Sequence, residues 1–391
     1  LGLITYDYLH SAGCSHVAAM QRSRPAFTAV AIPARNESER IAACLEALDS
    51  QSCARLDAIV LLVNNSTDDT ARIARSVRMQ PQTSLHVLER TLPPEQATAG
   101  HARRQAMEAA AASVGPQGVL LTTDADGLVD PDWLAANLAA LAAGADAVAG
   151  WVELHPIEWG QIPNALHEDD ARECAYDALC DEIHGRLDPD PNDPMPRHTQ
   201  HSGASIALTA QAYALCGGVP PIPCGEDRAL IAALRRVDAR IRHAPEVHLT
   251  VSGRTEGRSV GGMADTIRRR LTQPDAFIDD RLEPAADCAR RAMCRAALRI
   301  AYDDPSRDIL PLAAGLRIDP AILSLDLIEP YFGEAWERVE RRSPVLARKR
   351  VAVAALAAET AAAESILGRL RLGLRLGDRS GTEAFEPEGL D

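Results

Sequence analysis

Aromatic side chains make up only 4% of the 391 residues, so alanine and leucine must fill the cores of this chain. No CxxC pair occurs among the nine cysteines. Cys174 with Cys180, and Cys288 with Cys294, are each six apart, which fits neither a zinc site nor a disulfide framework. Reduced thiols and a cytoplasmic location are expected. No run of 18 apolar residues is present. The nearest candidate, Trp133 to Val152, is interrupted by Asn137 and Asp146 and reads as an Ala-rich helix followed by a strand, so no transmembrane segment is expected. The basic region, apolar stretch and cleavage site of a signal peptide are missing as well. Positive charge is in deficit: 41 Lys and Arg against 55 Asp and Glu leave a net −14. That balance argues against duplex nucleic acid or an anionic membrane as the main partner, since both need a basic face. It leaves open a small anionic ligand held by a metal or by local arginines. No GxGxxG follows the first strand, which disfavours a nicotinamide-dependent oxidoreductase. There is no internal repeat.

The length exceeds most single cores, so two domains, or one with a large appendage, are expected. Residues 1–25 read as an N-terminal extension. Met20 lies shortly before the first convincing strand, and residues 1–19 are expected to fall outside the functional unit. From Phe27, short apolar runs alternate with helical stretches. "AFTAVAIPA", "LDAIVLLVNN", "SLHVLER", "GVLLTTDAD" and "ADAVAGWVEL" read as strands. "ERIAACLEALDSQ", "STDDTARIARSVRM", "ATAGHARRQAMEAAAASV" and a stretch from about Pro131 read as helices. Such alternation predicts an α/β fold, a mostly parallel sheet flanked by helices in the Rossmann manner, with ligands beyond the carboxyl ends of the strands. Regularity fades after Trp151 and returns at "SGASIALTAQAYALCGG", a helix at "GEDRALIAALRR" and a late strand at "HAPEVHLTVSG". From about Met263 the chain reads as helical, with a frayed tail. The expected division is 26–262 (a nucleotide half to about 150, an acceptor half from 151) and a helical C-terminal region, 263–391.

In "LLTTDADGLVDPDWL", two carboxylates, Asp124 and Asp126, follow a buried-looking strand directly. Side by side they repel, and a hard divalent cation such as Mg²⁺ would relieve that: it accepts one or two carboxylates and completes its shell with phosphate and water. An Asx-type turn at Asp126 and Gly127 is the alternative. Several groups can reach the same sheet edge: Pro33, Arg35, Asn36 and Glu37 in "IPARNE", Asn64 and Asn65 in "NNSTDDT", and Arg103 and Arg104 in "GHARRQ". About a hundred residues later, Glu226 and Asp227 open a helix after a Gly/Pro-rich loop. They form either a working carboxylate pair or acids favoured by a helix N-terminus.

In this order the pieces resemble the family-2 glycosyltransferases and their GT-A fold. "VAIPARNESERIAACLEAL" is similar to the opening nucleotide-binding strand and helix, "VNNSTDDTA" to the second-strand motif, "TTDADG" to the Asp-x-Asp motif, and "GEDRALIAALRR" to the Glu-Asp motif. "GASIALTAQAYALCGG" resembles the segment lining the acceptor side. The likeness covers about residues 27–262. It implies an enzyme that moves a sugar from a nucleoside-diphosphate sugar to an acceptor hydroxyl, with inversion. Mg²⁺ or Mn²⁺ would sit on Asp126 and Asp124, with Ala125 between them. Asp227 would be the general base, Glu226 the alternate. Arg103 or Arg104 would touch the diphosphate. A late His, here His248, would be a further metal ligand, although a packed strand histidine is the competing reading. Arg254 and Arg258, among Gly253, Gly257, Gly261 and Gly262, suit a phosphate-clamping loop or a solvated basic loop. Asn64 and Asn65 stand where the family commonly has two aspartates, so recognition of the base is expected to differ. His198 and His201 are read as acceptor-pocket or structural groups, Trp151 and Trp159 as sugar-facing or simply buried. Two other readings remain: a nucleotidyltransferase, disfavoured because "PARNESER" lacks a Gly-rich loop, and a catalytically silent sugar-nucleotide binder or scaffold. The C-terminal Ala/Leu periodicity would serve a homo-oligomer interface or pack on the catalytic domain.

Overall fold

The computed structural model describes residues 27–257 and 261–374. The expected N-terminal extension (1–25), the frayed tail and Arg258 lie outside the described residues. Eight strands form one sheet: β1 (Thr28–Ala34), β2 (Ala58–Asn64), β3 (Ser84–Arg90), β4 (Val119–Thr122), β5 (Leu128–Val129), β6 (Ala147–Leu154), β7 (Ile206–Thr209) and β8 (Ile241–Val251). The first helices are α1 (Ile41–Asp49), α2 (Thr70–Ser76), α3 (Ala99–Val114), α4 (Trp133–Ala142) and the single turn α5 (Pro156–Trp159). They are followed by α6 (Asn164–Leu187), α7 (Ala210–Leu215), α8 (Glu226–Arg236) and α9 (Met263–Thr272). The C-terminal set is α10 (Ala285–Asp303), α11 (Leu310–Leu316), α12 (Pro320–Asp326), α13 (Phe332–Arg342) and α14 (Leu356–Arg371).

The sheet runs β3-β2-β1-β4-β7-β6-β8-β5. Its first half, β3-β2-β1-β4, is wholly parallel, so the ends of β1, β2 and β4 open on one edge. β7 then runs antiparallel to both β4 and β6, and β8 returns parallel to β6. The sheet is therefore mixed rather than uniformly parallel. The two-residue β5, which periodicity is too short to reveal, pairs antiparallel with β8.

β1 and β2 are buried on both faces, as their continuous apolar runs require. Alternate residues serve opposite cores. Val30, Ile32, Ile59 and Leu61 meet Ile41, Leu45 and Leu48 of α1. Ala29, Ala31, Val60 and Leu62 meet Ala102, Ala106 and Ala110 of α3. The small side chains on that second face let α3 lie close to the sheet, and this brings its first turn up to the strand ends.

Two further cores lie away from the sheet. α6, which the sequence reading groups with the acceptor half, shares Tyr176, Cys180 and Ile183 with Cys288 and Ala289 of α10 and Leu367 of α14. α10 continues into a second cluster with α11 and α13 through Leu298, Leu316 and Val339. Among the described residues, no helix is long and apolar enough to cross a membrane.

A buried ion-pair network ties these helices together. Arg291 of α10 is 4% exposed. It donates from Nε and Nη2 to Glu283 at 2.6 and 2.7 Å, from Nη1 to Glu340, and from Nη2 to the Leu346 carbonyl at 2.8 Å. Removing one partner of a buried pair leaves the other charge unpaired, at a cost of about 3–5 kcal/mol. Arg291→Ala is therefore expected to lower unfolding free energy by about that amount in urea titrations.

Candidate functional site

The loops after β1 and β2 fasten to each other at the parallel edge. Asn36 and Asn65 both adopt left-handed backbone conformations, φ +56° and +51°, which asparagine tolerates better than most residues. The Asn36 amide donates to Ser66 Oγ (3.0 Å), and its side-chain oxygen accepts from the Thr67 amide (2.8 Å). The Glu37 amide donates to Thr70 Oγ1 at 2.8 Å. Asn65 donates through Nδ2 to the Leu92 carbonyl (2.8 Å) and accepts from the Leu92 amide (3.1 Å). Only an amide can do both. The departure from aspartate at Asn65 thus has a local reason: its side chain joins the β2 and β3 loops. Asn64 is buried at the end of β2, Pro33 and Arg35 stand at the mouth of β1, and Arg35 is exposed.

Asp124 leaves β4 directly opposite the start of α3, where Arg103 is 5% exposed. The Arg103 guanidinium donates to Asp124 Oδ1 (2.6 Å), Glu226 Oε1 (3.0 Å), Thr122 Oγ1 (2.7 Å) and the Gly203 carbonyl (2.9 Å). The guanidinium that the family resemblance assigns to a diphosphate is thus seated among protein acceptors. A buried guanidinium needs partners on most of its five donors, and the protein itself supplies them. Arg104 binds the Val219 carbonyl at 2.9 Å and Glu108 at 2.7 Å, which fixes the loop after α7 rather than a ligand. Gly203 was not foreseen. A Cβ there would come within 2.6 Å of the Arg103 guanidinium carbon, so the close approach requires glycine.

Asp126 faces a different balance. Ala125 is buried between the two acids, and Asp126 meets Arg254 at 3.4 Å. Arg254 holds Glu37 with two bonds, 2.7 and 2.5 Å. Burial, and then the neighbouring Asp124, raise the Asp126 pKa to about 7, with Arg254 acting against them. Arg254 thus serves two acids, and Arg40 is a further cation acting on Asp126. Cys44, whose thiol donates to the Asp124 carbonyl at 3.4 Å, is pushed upward by burial and then by Asp126. Among the described residues, no three His, Cys, Asp or Glu side chains converge as a ready-made cage. A buried Asp126 beside the partly exposed, Arg103-bound Asp124 fits a hard cation whose remaining ligands are phosphate and water.

Glu226 and Asp227 open α8 after Gly225, which takes φ +76°. Glu226 is buried on Arg103. Asp227 accepts from the Gly203 amide (3.0 Å) and the Arg228 amide (2.8 Å). Burial, and then Glu226, raise its pKa. Asp124 and Glu226, 102 positions apart, therefore share one guanidinium, and Asp227 stands beside them.

His198 is buried. It accepts the Gln200 amide on Nδ1 and lies 3.1 Å from the Ala149 carbonyl on Nε2, and burial lowers its pKa to about 3. Trp151 packs edge-on against it at 5.4 Å between ring centroids, and Trp159 lies on His167. His248, read from the sequence as a metal ligand or a packed strand histidine, lies between two carboxylates. Its Nδ1 lies 2.9 Å from Asp130 and its Nε2 3.4 Å from Glu153, so both nitrogens already have carboxylates. Burial opposes its charge, but those two carboxylates outweigh burial and raise the pKa to about 9.

A histidine whose folded pKa is raised stabilises fully below its unfolded value, about 6.5. That contribution fades as pH climbs through about 9. His248→Gln is expected to flatten the loss of stability over that window, read as urea midpoints at successive pH values.

Residues 29–202 match the family model described as Glycosyl transferase family 2. A search of curated proteins finds no match. Among solved structures, glucosyl-3-phosphoglycerate synthase from Mycobacterium tuberculosis, solved with Mn²⁺, uridine diphosphate and phosphoglyceric acid, is 17% identical with a TM-score of 0.39. The alignment spans 64% of this chain and 81% of that one. A mannosyltransferase from Pyrobaculum calidifontis, in complex with GDP-Man and Mn²⁺, is 18% identical with a TM-score of 0.42, over 90% of this chain and 84% of that one. Over residues 29–202 the chain is thus similar to the family-2 glycosyltransferases.

Proposed function

We propose that this chain transfers a sugar from a nucleoside-diphosphate sugar to an acceptor hydroxyl, with a divalent cation, Mg²⁺ or Mn²⁺, held by Asp126 and Asp124, and with inversion. The observation that carries the reading is the buried, crowded Asp126 at the parallel sheet edge, beside Asp124, which Arg103 joins to a second acidic pair. When bound, the cation offsets the charge that develops on the departing diphosphate.

The chain's own groups have separate tasks. Pro33, Asn36, Glu37 and Asn64 shape the nucleotide edge, with Arg35 exposed at its rim. Arg254, already among these acids, has a guanidinium shaped for phosphate oxygens. Arg258, which lies outside the described residues, remains the second cation of that loop. Asp227 takes the acceptor proton as the new bond to the anomeric carbon forms and the bond to the diphosphate oxygen breaks. Its raised pKa, set by burial and by Glu226, makes it a better proton acceptor than an ordinary aspartate. Glu226 is the poorer choice for that base, because its carboxylate is bound to Arg103. Its task is to hold α8 against Asp124.

The test is a thermal-shift panel of UDP-, GDP- and dTDP-sugars with and without Mg²⁺ or Mn²⁺. At least one sugar nucleotide is expected to raise Tm only with metal. A ligand at a hundred times its Kd stabilises by about 2.7 kcal/mol. Asp126→Ala abolishes that rise. Asp227→Asn keeps it but loses about 10² to 10⁴ in transfer rate. Wild-type transfer by Asp227→Asn removes the base assignment, and binding without release of nucleoside diphosphate identifies a silent binder instead.

A further inference from the structure

Behind the Glu226–Asp227 pair, at the far end of α8, lies a group of cations that the transfer chemistry does not use. Arg197, Arg281 and Arg295 each have a carboxylate. Arg197 binds Asp181 at 2.6 Å, Arg281 meets Asp177 at 3.3 Å, and Arg295 pairs with Asp188. Arg235 does not. Among the described residues no carboxylate lies within ion-pair distance of it, and its one hydrogen-bonding contact is His201 Nε2 at 3.3 Å. Solvent reaches Arg235, yet protein crowds it, and burial followed by the nearby Arg295 lowers its pKa to about 10.

Proton counting shows that even the His201 contact leaves the group short of acceptors. His243 Nδ1 lies 2.7 Å from Asp193 Oδ2 and must carry a hydrogen. His243 Nε2 faces His201 Nε2 at 3.1 Å. If His243 is neutral, its Nε2 is a lone pair, and His201 Nε2 must donate to it. His201 Nε2 then has nothing to offer Arg235. If His201 Nε2 instead accepts from Arg235, His243 must be doubly protonated, which adds a second cation beside the first. Asp193 is already shared by Arg242 at 3.3 Å and Arg197 at 3.7 Å. His201 itself is held neutral, by burial first and then by Arg235. Under either arrangement, donors of the Arg235 guanidinium are left without a protein acceptor.

We infer that Arg235, with His201 and Arg281 around it, is a binding site for a small oxyanion, a phosphate monoester or a carboxylate, distinct from the acids that would hold the divalent cation. A planar guanidinium takes such groups with two parallel bonds. The site adjoins the acceptor side. His201 is two residues from Gly203, whose amide binds Asp227, and Arg281 donates to the Thr199 carbonyl of the same segment at 3.1 Å. Asp227 and Arg235 are eight residues apart on one helix, a rise of roughly 12 Å. An acceptor bearing an anionic group at one end and a hydroxyl at the other could span that distance. This last assignment rests on the glycosyltransferase reading, whereas the oxyanion site does not.

The experiment is calorimetric titration of the full chain with inorganic phosphate and, separately, with acetate, at ionic strength held constant by sodium chloride. A parallel titration uses UDP and GDP with Mn²⁺. Saturable binding of phosphate or acetate is expected with a Kd on the order of 1 mM. Which of the two binds names the anion class. Arg235→Ala and Arg235→Gln should each weaken it at least about tenfold, a factor worth about 1.4 kcal/mol, with nucleotide affinity unchanged. Two variants at one solvent-reached position guard against a folding defect in either. Absence of saturable anion binding by the wild-type chain overturns the proposal. So does equal binding by both variants, which would place the anion among the nucleotide groups. Anion binding sensitive to Arg235, with no nucleotide binding at all, upholds this site and sinks the glycosyltransferase reading alone.

Discussion

The site is organised around the burial of one guanidinium. Arg103 sits on the first turn of α3 and reaches the end of β4, the start of α8 and the segment before β7. Those elements come from parts of the chain a hundred residues apart. A charge in that position is tolerable only if its donors are matched, and the matching fixes geometry. Asp124 must turn inward, Glu226 must point back toward the sheet, and residue 203 must have no side chain. Two carboxylates that would otherwise repel are thereby held on one cation, and their neighbours Asp126 and Asp227 are left facing the same edge. Lys349 is the chain's one lysine. The cations that bridge its buried acids are therefore arginines, whose fork suits several acceptors at once.

Around that bridge the acids fall into two kinds. Asp124 and Glu226 are neutralised by direct bonds to Arg103. Asp126 and Asp227 are desolvated without equivalent compensation, and both have raised pKa values for that reason first. Burial that is not matched by a partner raises the affinity of both carboxylates for a proton. One environment that neutralised all four would be more stable and would do nothing. Arg254, shared between Glu37 and Asp126, marks the intermediate case, where a single guanidinium limits repulsion without cancelling it.

Much of this was legible in the sequence, because the sheet edge is dictated locally. Continuous apolar runs identify β1, β2 and β4, and their polar successors, from Arg35 to Glu37 and from Asp124 to Asp126, have to emerge at the strand ends. The Glu226–Asp227 helix start was visible for the same reason. The identity of partners was not. Nothing in "GHARRQ" says that Arg103 points inward while Arg104 caps the α7 loop, since adjacent helical residues differ by about 100° in direction and the packing of α3 decides between them. Asn65 looked like a departure at the nucleotide because its partner, Leu92, is 27 residues away on another loop. His248 resembled a ligand until the pairing of β8 with β5 and β6 brought Asp130 and Glu153 to its two nitrogens. Local pattern places a residue on an edge. Only tertiary contact says which way it faces.

The helices after Met263 belong to the same argument, because they reach the wall of the site. The segment from His198 to Gly203 has little regular structure of its own and must be held from outside. Gln200 accepts from the Val152 amide at 2.9 Å, Thr199 donates to Asp177 of α6, and Arg281 binds the Thr199 carbonyl. α6 in turn packs on α10 and α14. At the other end, the Phe332 and Gly333 amides both donate to Asp238 at 2.7 Å, which seats α13 against the turn leaving α8. A Cβ on Gly333 would come within 1.8 Å of the Arg235 carbonyl oxygen, so this seat is close-fitting. Both ends of the contact converge on α8 and on the segment facing Asp227. The C-terminal helices therefore brace α8 and the segment facing Asp227, through residues outside the segment the family match covers.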